Sequence, residues 1–288
     1  SWMKESFILS SYSMNQYNSL PSILARHGYS SSFFHGPTNG SMRFDSFTIA
    51  AGFDQYLGRT EYNNEKHFDG VWGIPDHHFL PWAVDEMSQM NAPFFSTIFT
   101  YSSHHPYTIP DDFKAITRAG PDLICKSISY ADFAFRDFWA KAKKQDWFDN
   151  TLFVFCADHV GPTKRKDRSN LEWSFKIPIA FYHSNGKLPK VSDMETMQQI
   201  DIMPTILDLL NIDTKYFSVG SSYFNPNNTP NMSYYQNSIV SMSPSSKPLI
   251  WNELQTGKVN AADQETIRRI KAIYQQYIAA LVNNEMVP

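Results

Sequence analysis

Long apolar runs, cysteine and concentrated positive charge are what this 288-residue sequence has least of. No stretch approaches the roughly 18 consecutive apolar residues of a bilayer-spanning helix, so nothing within it reads as a membrane span. Two cysteines, Cys125 and Cys156, exclude a disulfide framework and a cysteine-rich zinc site. One bridge stays open to them, but Cys156 lies in an apolar run and reads most simply as a small core residue. Lysine and arginine number 25 against 28 acidic residues, for a net charge of −3. The one basic cluster, KRKDR at 164–168, is short and interrupted by Asp167. A nucleic-acid partner is therefore not expected, because binding a phosphate backbone needs a concentrated basic footprint. A signal peptide and an initiator methionine are also lacking. The opening SWMKESF leads us to expect the interior of a longer protein.

What is present suits a large core. The length fits one large domain or one and a half, and aromatic residues make up 15% of the chain, enough for a core or for a cleft facing carbohydrate or lipid. Apolar spacing and turn residues alternate along it. Leu20 to Arg26 reads as a helix ended by Gly28, Tyr29 to Phe34 as a strand, and Phe44 to Ala51 as a helix. Phe79 to Met90 follows with helical spacing, and Pro93 to Ser103 as a buried strand. Ser127 to Gln145 is a long amphipathic helix. KIPIAFYH is a short strand, MQQIDIMPTILDLLNI a helix interrupted near Pro204, and 261–282 a terminal helix. This order predicts an α/β layered sandwich around a central, mostly parallel sheet. The Asn-, Ser- and Pro-rich stretch 218–247 reads as loop.

The stretch TLFVFCADHV, Thr151 to Val160, looks like a strand buried on both faces that stops at Asp158 and His159. A carboxylate and a neutral imidazole at the carboxyl end of such a strand can ligate a divalent cation. The same pair also serves as a loop-starting cap beside a surface histidine. Two other predicted strands end at histidines, one at His35 and one at His104 and His105. Carboxyl ends of strands in one parallel sheet converge, so these groups are expected along one edge, around one phosphate-sized pocket. His105 points away from His104 if the chain stays extended, which favours a rim role. Trp72 is either pocket wall or core. His77 and His78 precede a helix and are expected at the surface, His27 caps the end of the first helix, and Lys164, Arg165 and Lys166 are either a solvated loop or an anionic-headgroup contact.

FFHGPTNGSM, AGFDQYLG, FDGVWGIPD, SSHHPYTIP, YADFAFRDFW, NTLFVFCADH and QIDIMPTILDLL occur in this order. Together they resemble the extracytoplasmic domain of lipoteichoic acid synthase-like phosphoglycerol transferases, in the sulfatase branch of the alkaline phosphatase superfamily. The resemblance runs over residues 1 to 215 and implies an alkaline phosphatase-like fold there, with 216–288 a loop-rich segment and terminal helix packed on the same domain. It also implies a metal-dependent transfer: a threonine attacks phosphorus, and a cation held by that threonine, an upstream glutamate and a DH pair offsets the developing charge. Carried onto this sequence, Asp158 and His159 are the metal ligands. His104 binds phosphate or donates a proton, His35 lies in the substrate pocket, and Arg43 supplies the family's guanidinium shifted by one residue. Trp72 as pocket wall and His105 at the rim are further candidate substrate contacts from the residues themselves. Manganese is the expected metal, with magnesium and zinc compatible with the same donors.

Two departures shape the expectation. The family's threonine and glutamate precede the HG motif by more chain than the 34 residues before His35, so both are expected outside this sequence, and the fragment alone is expected to be inactive. Met42, Arg43 and Phe44 stand where the family has Trp-Asn-Arg, which opens the identity of the transferred group. The implied parent is a bacterial cell-membrane protein, anchored through an N-terminal segment beyond this sequence, whose catalytic domain faces the periplasm or the exterior and takes an anionic lipid or glycan phosphoester. Self-association through the truncated face is a further expectation. The alternatives are a sulfatase acting on sulfated sugars, for which no Cys/Ser-x-Pro-x-Arg motif is present, and a binding module that has lost its nucleophile.

Overall fold

The computed structural model describes residues 2–171, 173–190, 196–224, 231–235, 238–241, 249–251 and 261–288. Its helices are α1 (Leu20–Ala25), α2 (Phe44–Ala50), α3 (Arg59–Tyr62), α4 (Asp76–Met87), α5 (Asp111–Lys114), α6 (Ile124–Ala142), α7 (Ile202–Leu209) and α8 (Ala261–Val282). Its strands are β1 (Ser30–His35), β2 (Gln55–Leu57), β3 (Phe94–Phe99), β4 (Phe153–Cys156), β5 (Ile179–Tyr182), β6 (Met232–Tyr235), β7 (Ser238–Ser241) and β8 (Leu249–Trp251).

β1 lies between β2 and β3 in a parallel sheet, with His35 in register with Phe99. Side chains alternate across a strand, and β3 shows what this does. Phe94 and Ile98 join a core with Phe34 and the inner faces of α4 and α6, while Phe95 joins Ile23 and Leu24 of α1 and Leu207 of α7. Helices therefore cover both faces, which is the layered α/β sandwich that the alternating pattern predicts. Within α6, Ser127, Tyr130, Ala134, Phe138 and Ala142 are buried at helical spacing. The centre of this core is sensitive to volume. Phe79 is 1% exposed and packs beside Tyr62 and Trp82. Phe79→Ala is expected to lower the unfolding free energy by about 3–5 kcal/mol, because the ring leaves a cavity that its neighbours fill only partly. A urea titration checks this.

The strand before Asp158 departs from expectation. β4 does not join the parallel sheet but pairs antiparallel with β5 in a sheet of its own. Its apolar run has a one-sided cause. Trp139 of α6 meets Phe153 at 4.9 Å and Tyr182 at 5.0 Å between ring centroids, while the other face is only half covered. Cys156, expected in the core, is exposed at the end of this strand, where its thiol faces the Gln199 amide.

The stretch expected to be loop holds β6 and β7, which pair antiparallel, with β8 beside β7. Residues 225–230, 236–237 and 242–247 of this stretch lie outside the described residues. Met232 and Ile239 form a second core with Trp2 and with Ile267, Ile270, Tyr277 and Leu281 of α8. The first residues of the chain thus pack against the last helix, and Gln16 N–H donates to the Asn284 side chain at 2.7 Å.

Candidate functional site at the His104 cleft

The turn that carries Trp72 is built around one carboxylate. Asp69 Oδ1 accepts the main-chain N–H groups of Val71, Trp72 and Gly73 at 2.8, 2.8 and 3.1 Å. Its Oδ2 accepts the Tyr101 hydroxyl at 3.2 Å. The turn is then stitched to the carboxyl end of β1. Ile74 N–H donates to Gly36 O at 3.0 Å and Thr38 N–H to Trp72 O at 2.9 Å. The two backbones touch so closely that a Cβ on Gly73 would sit 2.2 Å from Gly36 O. Only glycine fits such an approach.

The loop after β3 brings His104 to this wall. His104 N–H donates to Tyr101 O at 2.7 Å, closing a tight turn. Its ring Nδ1 lies 2.8 Å from the His105 carbonyl, and Trp72 Nε1–H donates to the same oxygen at 2.9 Å. A carbonyl oxygen only accepts, so Nδ1 carries the proton and, in the neutral ring, Nε2 keeps its lone pair. Trp72 meets the His104 ring edge to face at 5.0 Å. Together with Asp69, Tyr101, Ser102 and Tyr130, the two line a small open cleft. Here His105 contributes its main-chain oxygen, while its own ring leans on Tyr107.

His35 ends β1 but does not line this cleft. It is 2% exposed, its Nδ1 is 2.7 Å from the Tyr56 hydroxyl, and the Phe44 ring lies tilted against it at 4.4 Å. Burial lowers its pKa to about 4, against a smaller opposing pull from Asp45, so the ring is neutral at physiological pH. Arg43, exposed with φ of 61°, precedes Phe44 and opens α2.

Asp158 and His159 form a pair of their own on the loop beyond β4. Asp158 Oδ1 accepts His159 N–H at 2.8 Å, and Oδ2 lies 3.3 Å from His159 Nε2. His159 Nδ1 is 2.8 Å from the Val160 carbonyl, so this ring too holds its proton on Nδ1 and offers Nε2 beside a carboxylate oxygen. A carboxylate oxygen and an imidazole lone pair, side by side and solvent-accessible, suit two positions of a divalent cation. Among the described residues no third histidine, cysteine or acidic side chain joins them.

The sulfatase family model matches residues 2–212. The chain belongs to the sulfatase family. Lipoteichoic acid synthase of Staphylococcus aureus is 28% identical over 236 residues, covering 73% of this chain and 35% of that protein. Lipoteichoic acid synthase 1 of Bacillus subtilis is 23% identical over 279 residues, covering 91% of this chain and 44% of that protein. The chain thus spans less than half the length of these curated relatives. A solved structure described as a protein in the alkaline phosphatase superfamily from Vibrio parahaemolyticus aligns with a TM-score of 0.80 and 26% identity, covering 99% of this chain and 73% of that one. The layered α/β architecture is therefore that of the alkaline phosphatase superfamily.

Several residues of this sulfatase-family chain were not legible as parts of a site. Asp69, Tyr101, Ser102 and Tyr130 line the cleft, and the signal for the first lay in the FDGVWGIPD segment, where an acid precedes a glycine-flanked tryptophan. His77 and His78, expected at the surface, are half-buried instead. The His78 ring stacks on His67 at 3.6 Å, and His77 Nδ1 bonds to the Tyr130 hydroxyl. Burial and then the neighbouring imidazoles lower His77 to about 4. The correction has a simple cause: α4 begins at Asp76, earlier than its apolar spacing suggests, which turns both rings toward α6 and the loop before α4. No helix among the described residues is long and apolar enough to cross a membrane.

Proposed function

We propose that the intact protein transfers or hydrolyses phosphate esters with a divalent metal, taking an anionic lipid headgroup or a glycan phosphoester at the His104 cleft. The observation that supports this best is the shared state of two imidazoles. At both His104 and His159 a neighbouring carbonyl holds the Nδ1 proton, which leaves Nε2 of His104 its lone pair and sets Nε2 of His159 3.3 Å from Asp158 Oδ2. Asp158 and His159 would hold two positions of the cation, manganese by preference, and the bound ion would polarise the phosphoryl group. His104 would bind the phosphoryl oxygens or pass a proton, which is general acid–base work. Arg43 offers a guanidinium, and Trp72 offers an aromatic wall for the substrate. The neutral, buried His35 would shape the pocket together with Tyr56 and Phe44.

In this reading the attacking hydroxyl and the remaining metal ligand come from outside these 288 residues, and a membrane-attached parent faces the cell exterior. The reading also lets two copies of this chain associate through the face where the absent segment would pack. The names of the curated relatives support a lipid phosphoester donor over a sulfate ester. The intact protein with manganese is expected to release the headgroup from fluorescent phosphatidylglycerol, and to leave nitrophenyl sulfate uncut. Faster cleavage of the sulfate would move the assignment to a sulfatase. Ligand binding without turnover of either would leave a binding module.

A further inference from the structure

A buried carboxylate stands behind the cleft with no established use. Asp76, the first residue of α4, is 2% exposed. Its Oδ1 accepts Tyr101 N–H at 3.3 Å, its Oδ2 accepts Ser102 N–H at 3.1 Å, and its own N–H donates to Ser102 Oγ at 3.0 Å. These three bonds hold the two residues from which the His104 turn starts, and His104 N–H closes on Tyr101 O. The Ser102 hydroxyl also interacts with the Tyr130 phenol, so the same point ties the loop to α6.

An ionised carboxylate in such a place is costly, and among the described residues no lysine or arginine offsets it. If bulk polarity were all that was needed, an amide would serve at lower cost. An amide has only one accepting oxygen, and its NH₂ would face one of the two main-chain N–H donors. The site therefore uses the one side chain of this size that accepts at both ends. We propose that Asp76 is a positioning residue for His104, acting through the main chain of Tyr101 and Ser102. The geometry stands by itself, and only the catalytic consequence rests on the function proposed above.

The groups around Asp76 that titrate or carry charge are Asp69 on the Trp72 turn, His77 and His78 on its own helix, Tyr101 on the His104 loop and Tyr130 on α6. Burial raises Asp76 to about 6, and hydrogen bonds from Ser102 and Tyr101 offset this only in part. His77 lies lower, at about 4, so the two events separate. Protonation would take one acceptor away and loosen the turn as the pH falls through 6.

The test is nuclear magnetic resonance on the ¹⁵N-labelled 288-residue protein between pH 7.5 and 5, with Asp76→Asn beside it. In the wild type the Tyr101 and Ser102 amides should share an inflection near pH 6, and the His104 amide should follow it. At pH 7.5 the His104 ring should show the Nδ1–H form. In Asp76→Asn the shared inflection should vanish and the ring should become a mixture of tautomers. In the intact enzyme the same substitution should lower kcat about 10²-fold, the scale of a 1 Å misplacement, with KM moved less than about threefold. Absence of the shared inflection in the wild type overturns the proposal even if the variant does not fold. Its persistence in a folded Asp76→Asn, or an unchanged His104 ring there, does so as well. If the intact protein shows no turnover while the inflection is present and is lost in the variant, the functional reading fails and the positioning role stands.

Discussion

Asp158→Ala in the intact protein is expected to lower metal-dependent phosphodiester turnover about 10³-fold while leaving the thermal midpoint nearly unchanged. The size follows from the several kcal/mol of charge stabilisation that a bound cation supplies at a phosphoryl group, since each 1.36 kcal/mol is about tenfold. The specificity follows from exposure. The side chains of Asp158 and His159 keep 58% and 70% of their accessible surface, and the bonds between them are local. Substitutions at such positions usually change stability by about 0.5 kcal/mol or less. His159→Ala should behave alike, because its Nε2 is the second donor. Raising manganese should restore part of the activity of either variant. The 288-residue chain assayed alone, with or without the substitution, should show no turnover, since the attacking hydroxyl is proposed to lie elsewhere. Equal activity in the chain and the intact protein, abolished by Asp158→Ala, would place the nucleophile within these residues and defeat that part of the reading.

His104→Gln is expected to reduce kcat by about 10² to 10⁴, the usual range for a general acid or base. The neighbouring substitution His105→Ala should cost far less, under about tenfold by the same scale. The contrast comes from which atoms are used. His104 presents a ring nitrogen to the cleft, whereas the His105 atom in play is a main-chain carbonyl, which alanine keeps. Steady-state kinetics of the two variants on the same phosphodiester check this. Comparable losses in the two variants would mean that the His105 ring, not its carbonyl, meets the substrate.

Much of the fold was legible because the periodic signals were long. α8 and α6 sit where apolar spacing placed them, to within a few residues, and the strands ending at His35 and before His104 lie parallel in one sheet. β4 was misplaced because a continuous apolar run does not say which face packs. Rings from a single helix, Trp139 above all, can account for it. Cys156 followed the same error. The candidate site divided along similar lines. His104 and Trp72, 32 positions apart in sequence, meet at the cleft, while Asp158 and His159, expected at the same pocket, contact each other and do not line it. Asp69, Asp76 and Tyr130 were hidden because their roles rest on bonds to distant main chain and to one another's neighbours, which no local pattern records.

The contact between Gly36 and Gly73 bears on how such a pocket can evolve. Because neither position tolerates a side chain at that crossing, the strand end and the Trp72 turn are inherited as one block. Under the function proposed above, substrate range can drift only at residues that face away from it. A library built to shift specificity should leave both glycines fixed and place its diversity at the exposed lining residue Thr108. Recombination between relatives should likewise exchange residues 36 to 74 as a single segment, since a crossover within it pairs two backbones that never fitted each other.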